Sequence, residues 1–354
     1  MSLYDEVAEL PLRIDAVEYR RHEAETTSDF TRSTTEIVLT GGGHIGRGED
    51  VTYETTDHDA LQAAAPSFDL AGEHTVDSIS KALDDRDLFH GRDPDQPAFR
   101  HYRRWGFESA ALDLALRQAD TDLASALAID DEPVEFIVST RLGSPPTIDR
   151  IELLLDRDPE LQFKLDPTDE WTTDLIESVA DTESVRVLDL KGHYEGTDVD
   201  QQPDAELYAT LLETFPEAII EDPALTSETE PVFEGHRERV AWDAPIHSVD
   251  DIRTLPFEPD WLNVKPSRFG SLESLFAAVE YCESHGIEMY GGGQFELGVG
   301  RGQLHALASL LYPDAPNDIA PGGYNVPTIP SELPPSPLAV PEPTTGFGWQ
   351  PTAN

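Results

Sequence analysis

WLNVKPSRFGSLESLFAAVEYCESHGIEMYG (261–291) reads as strand, helix, strand. WLNVK (261–265) and IEMYG (287–291) are short apolar runs, and SLESLFAAVEYCESHG (271–286) between them has helical apolar spacing. Upstream the pattern repeats. VEFIVST (134–140), LQFKL (161–165), VRVLDL (185–190), AIIED (218–222) and RVAWD (239–243) are candidate strands, separated by helices such as TTDLIESVA (172–180) and AELYATLLETF (205–215). A further helix is expected at 303–311. Short apolar strands alternating with helices are the signature of parallel β/α units. An open sheet that binds nucleotides usually starts with a glycine-rich turn after its first strand, whereas VEFIVST runs into RLGSPPT, which offers no phosphate cradle. The expected fold is therefore α/β, a TIM-like barrel.

Residues 12–53 look different, like antiparallel strands broken by turns. TTEIVLT (34–40) is followed by GGGHIGRGED (41–50), whose GxxGxG leads into another strand, so it reads as a hairpin turn. Residues 57–130 read as helical, most clearly in FESAALDLALRQA (107–119). The expected organisation is an N-terminal α+β capping domain (1–130), the barrel (131–315) and a Pro-rich segment (316–354) returning to the cap or the surface.

Composition limits the partners. Seventy Asp and Glu against 24 Lys and Arg give a net charge of −46, which would repel nucleic acid and anionic membrane surfaces alike. Such self-repulsion is tolerable where concentrated salt screens it, and the expectation is a halophile's protein. With 38% hydrophobic and 8% aromatic residues the chain can still pack a core. The single cysteine, Cys282, permits no intrachain disulfide, and MSLYDEVAEL lacks the basic and apolar regions of a secretion signal. A cytoplasmic location is expected. The choice between monomer and homo-oligomer stays open.

The strand ends carry the chemistry in a β/α barrel. They hold Lys164 with Asp166, Asp189 with Lys191, Glu221 with Asp222, then Asp243, then Lys265. Only four lysines occur, at 81, 164, 191 and 265, against twenty arginines, and three of the four stand at these ends. Burial can tune an ammonium towards neutrality, which a guanidinium resists, so lysines kept here read as functional. The alternative is that each simply pairs with an acid. Asp189, Glu221 and Asp243 come from three successive strands, where uncompensated carboxylates would repel. A hard cation such as Mg2+ resolves that repulsion; solvated surface acids are the competing reading.

The order of cap, barrel and return segment, with Lys164, Asp189, Glu221, Asp243 and Lys265, resembles the enolase superfamily, especially its muconate-lactonising and mandelate-racemase-like branches. TEIVLTGGGHIGRGED looks like the family's cap hairpin, FESAALDLAL like its cap-to-barrel helix, and IIEDP like its fourth-strand signature. The resemblance implies that a small carboxylate substrate binds Mg2+ and loses its α-proton to a base, giving a metal-stabilised enediolate. It matches Asp189, Glu221 and Asp243 to the metal ligands, Lys265 to the sixth-strand base and Lys164 to the first lysine of a Lys-x-Lys motif. Two positions depart. Asp166 stands where the second lysine would be, and Lys191 where asparagine is usual. That disfavours a two-lysine racemase and favours a lyase, dehydratase or cycloisomerase using Lys265. The alternatives are an epimerase or racemase pairing Lys265 with Lys191 or Asp166, a non-catalytic barrel-fold binding protein, and an unrelated barrel hydrolase. Glu296, Gln294 and, by resemblance, His44 and Arg47 in the cap turn are expected near substrate. Asn317, Asp318 and Tyr324 are secondary candidates, and His193 and His247 read as surface residues.

Overall fold

The computed structural model describes every residue except 1, 28–29, 65–69, 195, 198, 343 and 350–354. Parts of the expected helical stretch (65–69) and tail (343, 350–354) thus lie outside the described residues.

The cap is built on an antiparallel meander of β2 (Ala16–Glu25), β3 (Thr31–Gly41) and β4 (His44–Asp50), with β1 (Pro11–Ile14) paired to β5 (Gly72–Thr75). Gly42 and Gly43 both have positive φ (57° and 84°), the backbone that a two-residue type I′ hairpin requires. The glycine-rich motif is this turn and the strand after it. Gly46 and Gly48 let β4 lie directly on the helix Phe99–Gln118: a Cβ would stand 2.4 Å from the Ala110 oxygen at one and 2.2 Å from the Gly106 oxygen at the other. The 57–130 region holds the helices Thr55–Ala63, Val76–Asp84, Phe99–Gln118 and Leu123–Leu127. It also holds β5, which was expected to be helical. GEHT lacks strand-like alternation, and its pairing with β1 supplies what local sequence does not.

The barrel strands are β6 (Val138–Thr140), β7 (Phe163–Leu165), β8 (Val185–Asp189), β9 (Ile219–Glu221), β10 (Val240–Trp242), β11 (Trp261–Val264) and β12 (Glu288–Gly291). All pair in parallel and in chain order. Between β12 and β6 lie Asn317 and Asp318, which bridge to Phe136 on one side and Gly292 on the other. Asn317 is fully buried and bonds Gly291 N at 2.6 Å and the Glu135, Tyr312 and Ala315 oxygens, so its role is to close the ring. Helix starts are fixed locally: Thr172, Asp204, Ser248 and Ser271 each accept a hydrogen bond from an N–H of the first turn.

Strand parity positions the site. Ile137, Val187, Ile219, Ala241 and Tyr290 form a separate small cluster inside the barrel, while their neighbours Val138, Leu188, Ile220 and Trp242 pack outward beneath the helices. Side chains two residues further along a strand face the same way. Arg141, Asp189, Glu221 and Asp243 therefore share the inward parity and rise at the C-terminal mouth. The tail wraps back: Tyr324 packs on Phe136 and Phe347 on Trp105. No described helix is long and apolar enough to cross a membrane.

Candidate functional site

Three fully buried carboxylates, Asp189, Glu221 and Asp222, bring oxygens within 4.8 Å of one another at the barrel mouth. Asp189 and Glu221 arrive by strand parity. Asp222 would point outward by parity, but its backbone is left-handed (φ 49°), which re-aims the side chain. Its oxygens accept the Asp243 and Ala244 N–H groups, both at 2.9 Å. Asp243, the expected third ligand, falls outside this 4.8 Å grouping, and its oxygens face cations. Arg268 Nε donates to Oδ1 at 2.7 Å, and Arg268 Nη2 (3.1 Å), Lys265 Nζ (2.8 Å) and Tyr194 OH (3.1 Å) converge on Oδ2.

The lysines sit among these acids. Lys164 Nζ lies 2.6 Å from Glu221, 3.2 Å from Asp189 and 3.3 Å from Asp318. Lys191 Nζ hydrogen-bonds Asp189 and lies 3.5 Å from Asp166. Asp166 is held on its other oxygen by Arg141 Nε at 3.3 Å. Glu221 also accepts from Tyr290 OH and from Asn263 Nδ2 at 3.2 Å, while the buried Asn263 Oδ1 has no hydrogen-bond partner among the described residues.

Burial pushes the Glu221 carboxyl up to about 8, with Lys164 pulling the other way and Asp189 adding to the rise. Burial, then the neighbouring Asp243 and Asp189 charges, raise Asp222 to about 7. Asp243 goes the other way: burial would raise it, but Arg268 and then Lys265 hold it well below the carboxylate range. Asp189 is likewise held low against its burial, chiefly by Lys191 and Lys164. Burial works against the Lys164 charge, yet Glu221, Asp189 and Asp318 keep it firmly an ammonium. The site thus holds two well-compensated acids and two under-compensated ones.

The remaining expected residues divide. Asp318 joins the cluster through Lys164. Gln294 ties the cap to the barrel, since Tyr53 OH donates to its Oε1 at 2.8 Å and Arg32 holds its carbonyl at 2.9 Å, while Glu296 accepts Gln294 N at 2.7 Å. Gln294 also reaches Arg268 through Tyr102 OH, at 3.2 Å on both sides. His44 is not brought to the site. Its hairpin packs at the Gln118 end of the helix Phe99–Gln118, where Gln118 Nε2 bonds the Gly41 oxygen at 3.0 Å, whereas Tyr102 marks the site end. At 1.5 Å per residue the two ends are about 24 Å apart. Arg47 lies on the same hairpin, 3.5 Å from Glu36. Tyr324 is a core residue whose hydroxyl donates to the Pro334 oxygen. His193 packs on Trp242 and His247 on His101. Sequence reasoning missed Asp222 as a ligand candidate, and Arg268, Tyr290, Asn263 and Arg141 altogether. Strand parity alone would have nominated Arg141 and Asn263.

Two family models match, described as "Domain of unknown function (DUF8230) C-terminal domain" over residues 130–326 and "Domain of unknown function (DUF8230) N-terminal domain" over residues 5–126. The o-succinylbenzoate synthase of Bacillus subtilis (strain 168) is 26% identical over 230 residues, 61% of this chain and 58% of the synthase. The N-succinylamino acid racemase of an Amycolatopsis species is 27% identical over 345 residues, 88% of this chain and 86% of the racemase. Among solved structures, a member of the enolase superfamily from Listeria innocua has a TM-score of 0.65 at 18% identity, covering 90% of this chain and 88% of its own. The muconate lactonizing enzyme of Pseudomonas putida has a TM-score of 0.66 at 17% identity, covering 95% and 96%. These likenesses establish the fold that the strand pattern led us to expect.

Proposed function

The chain belongs to the family described as domain of unknown function DUF8230 and has the enolase-superfamily fold, and we propose that it is a divalent-cation-dependent enzyme that removes the α-proton of a small carboxylate. The observation that carries this reading is the convergence of the buried Asp189, Glu221 and Asp222 carboxylates beside Lys164 and Lys265 at the barrel mouth. An all-oxygen, buried and under-compensated donor set suits a hard cation such as Mg2+, and the unpartnered Asn263 Oδ1 beside Glu221 adds a polar atom without a role in the fold. Asp189, Glu221 and Asp222 would hold the ion, with Asp243, now paired with Lys265 and Arg268, as the further candidate beside them. When bound, the cation supplies Lewis-acid stabilisation of the negative charge that develops on the substrate carboxylate.

Paired with Asp243 at 2.8 Å, Lys265 is an ammonium; once Nζ has given up that proton, the neutral amine takes the α-proton. Its stem lies over Gly292, where a Cβ would stand 2.7 Å from Lys265 Cε, so the missing side chain fixes the path of the base. Lys164 keeps a positive charge against Glu221 and Asp189, the side of the mouth towards which an anionic substrate is drawn. With Asp166 in place of a second lysine, one base serves one face of the substrate, which fits a lyase, dehydratase or cycloisomerase. Binding of Mg2+ alone to the wild type, followed by calorimetry, tests the metal centre. Turnover across a library of small carboxylic acids tests the chemistry: Lys265→Ala should lose all of it while Mg2+ affinity is unchanged. A wild type that binds no Mg2+ and converts no acid would support a non-catalytic binding protein.

A second reading rests on Lys191, whose ammonium sits beside Asp166 at the position the second lysine would serve. A Lys191–Lys265 epimerase would put solvent deuterium into recovered substrate with inversion; elimination would not.

A further inference from the structure

Two ammoniums rest on Asp189, and they are held differently. Lys164 is fully buried and lies among Asp189, Glu221 and Asp318. Lys191 touches two acids: its Nζ hydrogen-bonds Asp189 and lies 3.5 Å from Asp166. Asp166 is not one of the three converging carboxylates. It lines a polar cleft over the ends of β6, β7 and β8, together with Arg141, Glu170 and Lys191 itself. The main chain fixes Lys191 in this place. Leu190 N bonds the Glu221 oxygen at 2.9 Å and Gly192 N bonds the Asp222 oxygen at 2.8 Å, so both neighbours are tied to residues that carry the acids. Lys191 is left-handed (φ 53°), a backbone uncommon outside glycine. That turn lets one residue engage both Asp189 oxygens, with N on Oδ1 at 3.1 Å and Nζ on Oδ2. What can move is the flexible four-carbon stem and the charge at its end.

A divalent cation held by Asp189, Glu221 and Asp222 needs an Asp189 oxygen, and Lys191 stands on it. Two positive charges on one carboxylate oxygen repel, so one of them must yield. Lys164 is the harder to displace: it bonds Glu221 at 2.6 Å as well as Asp189, and withdrawing it would break two contacts within the cluster. Lys191 has one such contact to give up, and its second acid lies outside the cluster, in the cleft.

We propose that Lys191 is a tethered competitor of the divalent cation: the two exclude one another at Asp189, and Lys191 yields by keeping Asp166 alone. This rests on the metal reading of the carboxylate cluster, and it gives Asp166 the task of receiving the displaced charge. The test measures Mg2+ binding to the EDTA-stripped full chain by calorimetry in molar KCl, which screens the acidic surface. The site is identified as the heat that Glu221→Gln abolishes. Lys191→Met should bind Mg2+ about tenfold more tightly than the wild type, and so should Lys191→Asn, whose side chain suits a left-handed backbone. Asp166→Asn should bind it about tenfold more weakly, because the displaced ammonium loses its second partner. A plain loss of charge would weaken binding equally whether or not Lys191 is present. Displacement instead predicts that Asp166→Asn changes affinity by less than about twofold once Lys191→Met is in place. Equal Mg2+ affinity in the wild type and both Lys191 variants, with folds verified by circular dichroism, overturns the proposal. An Asp166 effect of the same size with and without Lys191 overturns it too. Failure of the metal reading looks different: no saturable heat in the wild type or in any variant, which removes the cation site and the competition with it.

Discussion

Asp243→Asn tests whether Asp243 is a structural acid or a metal ligand. Asp243 is fully buried and neutralises two buried cations, Arg268 through bonds of 2.7 and 3.1 Å and Lys265 at 2.8 Å. Removing its charge leaves both cations buried without their main counter-ion, a change that costs about 3–5 kcal/mol where one partner of a buried pair is lost. Globular proteins gain about 2.1 cal/mol/K of unfolding entropy per residue, so for this chain the midpoint should fall by about 4–7 °C. Glu221→Gln should behave in the opposite sense. Burial raises the Glu221 carboxyl, so its charge contributes less to the metal-free fold than that of Asp243, and Lys164 keeps Asp189 and Asp318 as partners. The metal-free midpoint should then move by no more than about 1–2 °C, the shift expected for a change under about 1 kcal/mol. Calorimetric scans with and without Mg2+ complete the contrast. An ion at one hundred times its Kd adds about 2.7 kcal/mol, or about 3–4 °C here. Asp243→Asn should keep that gain, and Glu221→Gln and Asp222→Asn should lose it. The reasoning fails if Asp243→Asn leaves metal-free stability intact yet abolishes the Mg2+ gain.

The pH dependence has a definite sign. Glu221 and Asp222 have folded-state values raised from 4.5 to about 8 and from 3.8 to about 7, so the folded chain holds protons that the unfolded chain releases. Their contribution is fully present below pH about 4 and is lost as pH rises through 7 and 8. Metal-free midpoints should decline across that window, and saturating Mg2+ should flatten the decline; Asp189 and Asp243, held low, contribute stability that is present above pH about 4 and is lost only in more acid solution. In the cap, Gly48→Ala places a methyl 2.2 Å from the Gly106 oxygen and should cost about 1–3 kcal/mol, read as a lower midpoint by circular dichroism. Dialysis from molar KCl into dilute buffer should lower stability, because a net charge of −46 is then unscreened; an unchanged midpoint would remove the salt-adaptation reading.

What could be read in advance follows from what burial writes into a sequence. Barrel strands are covered on both faces, so LQFKL, VRVLDL and AIIED stand out as apolar runs, and the polar residue at or next to the end of each run is conspicuous. Lysine scarcity drew attention to strand ends that meet in the fold: Lys164, Lys191 and Lys265 each pair with an acid there, which is what the alternative reading of them also expects. The same reasoning was blind to arginine. Among twenty arginines the residue type carries no signal, yet Arg268 decides that Asp243 is an ion-pair partner, and Arg141 stands open to the cleft. Asp222 was hidden for a different reason: alternation assigns it to the outside, and only a left-handed backbone at that residue returns it to the mouth. His44 failed on distance, since a glycine-rich hairpin in a cap does not reveal which end of a 20-residue helix it will meet. Position 166 combines both kinds of information. The resemblance expects a lysine where the sequence has aspartate, and only the fold shows whether an ammonium arrives there from the next strand. Lys191 does arrive, bonded to Asp189 and 3.5 Å from Asp166, so a positive charge from the neighbouring strand stands beside the position where the resemblance expects the second lysine.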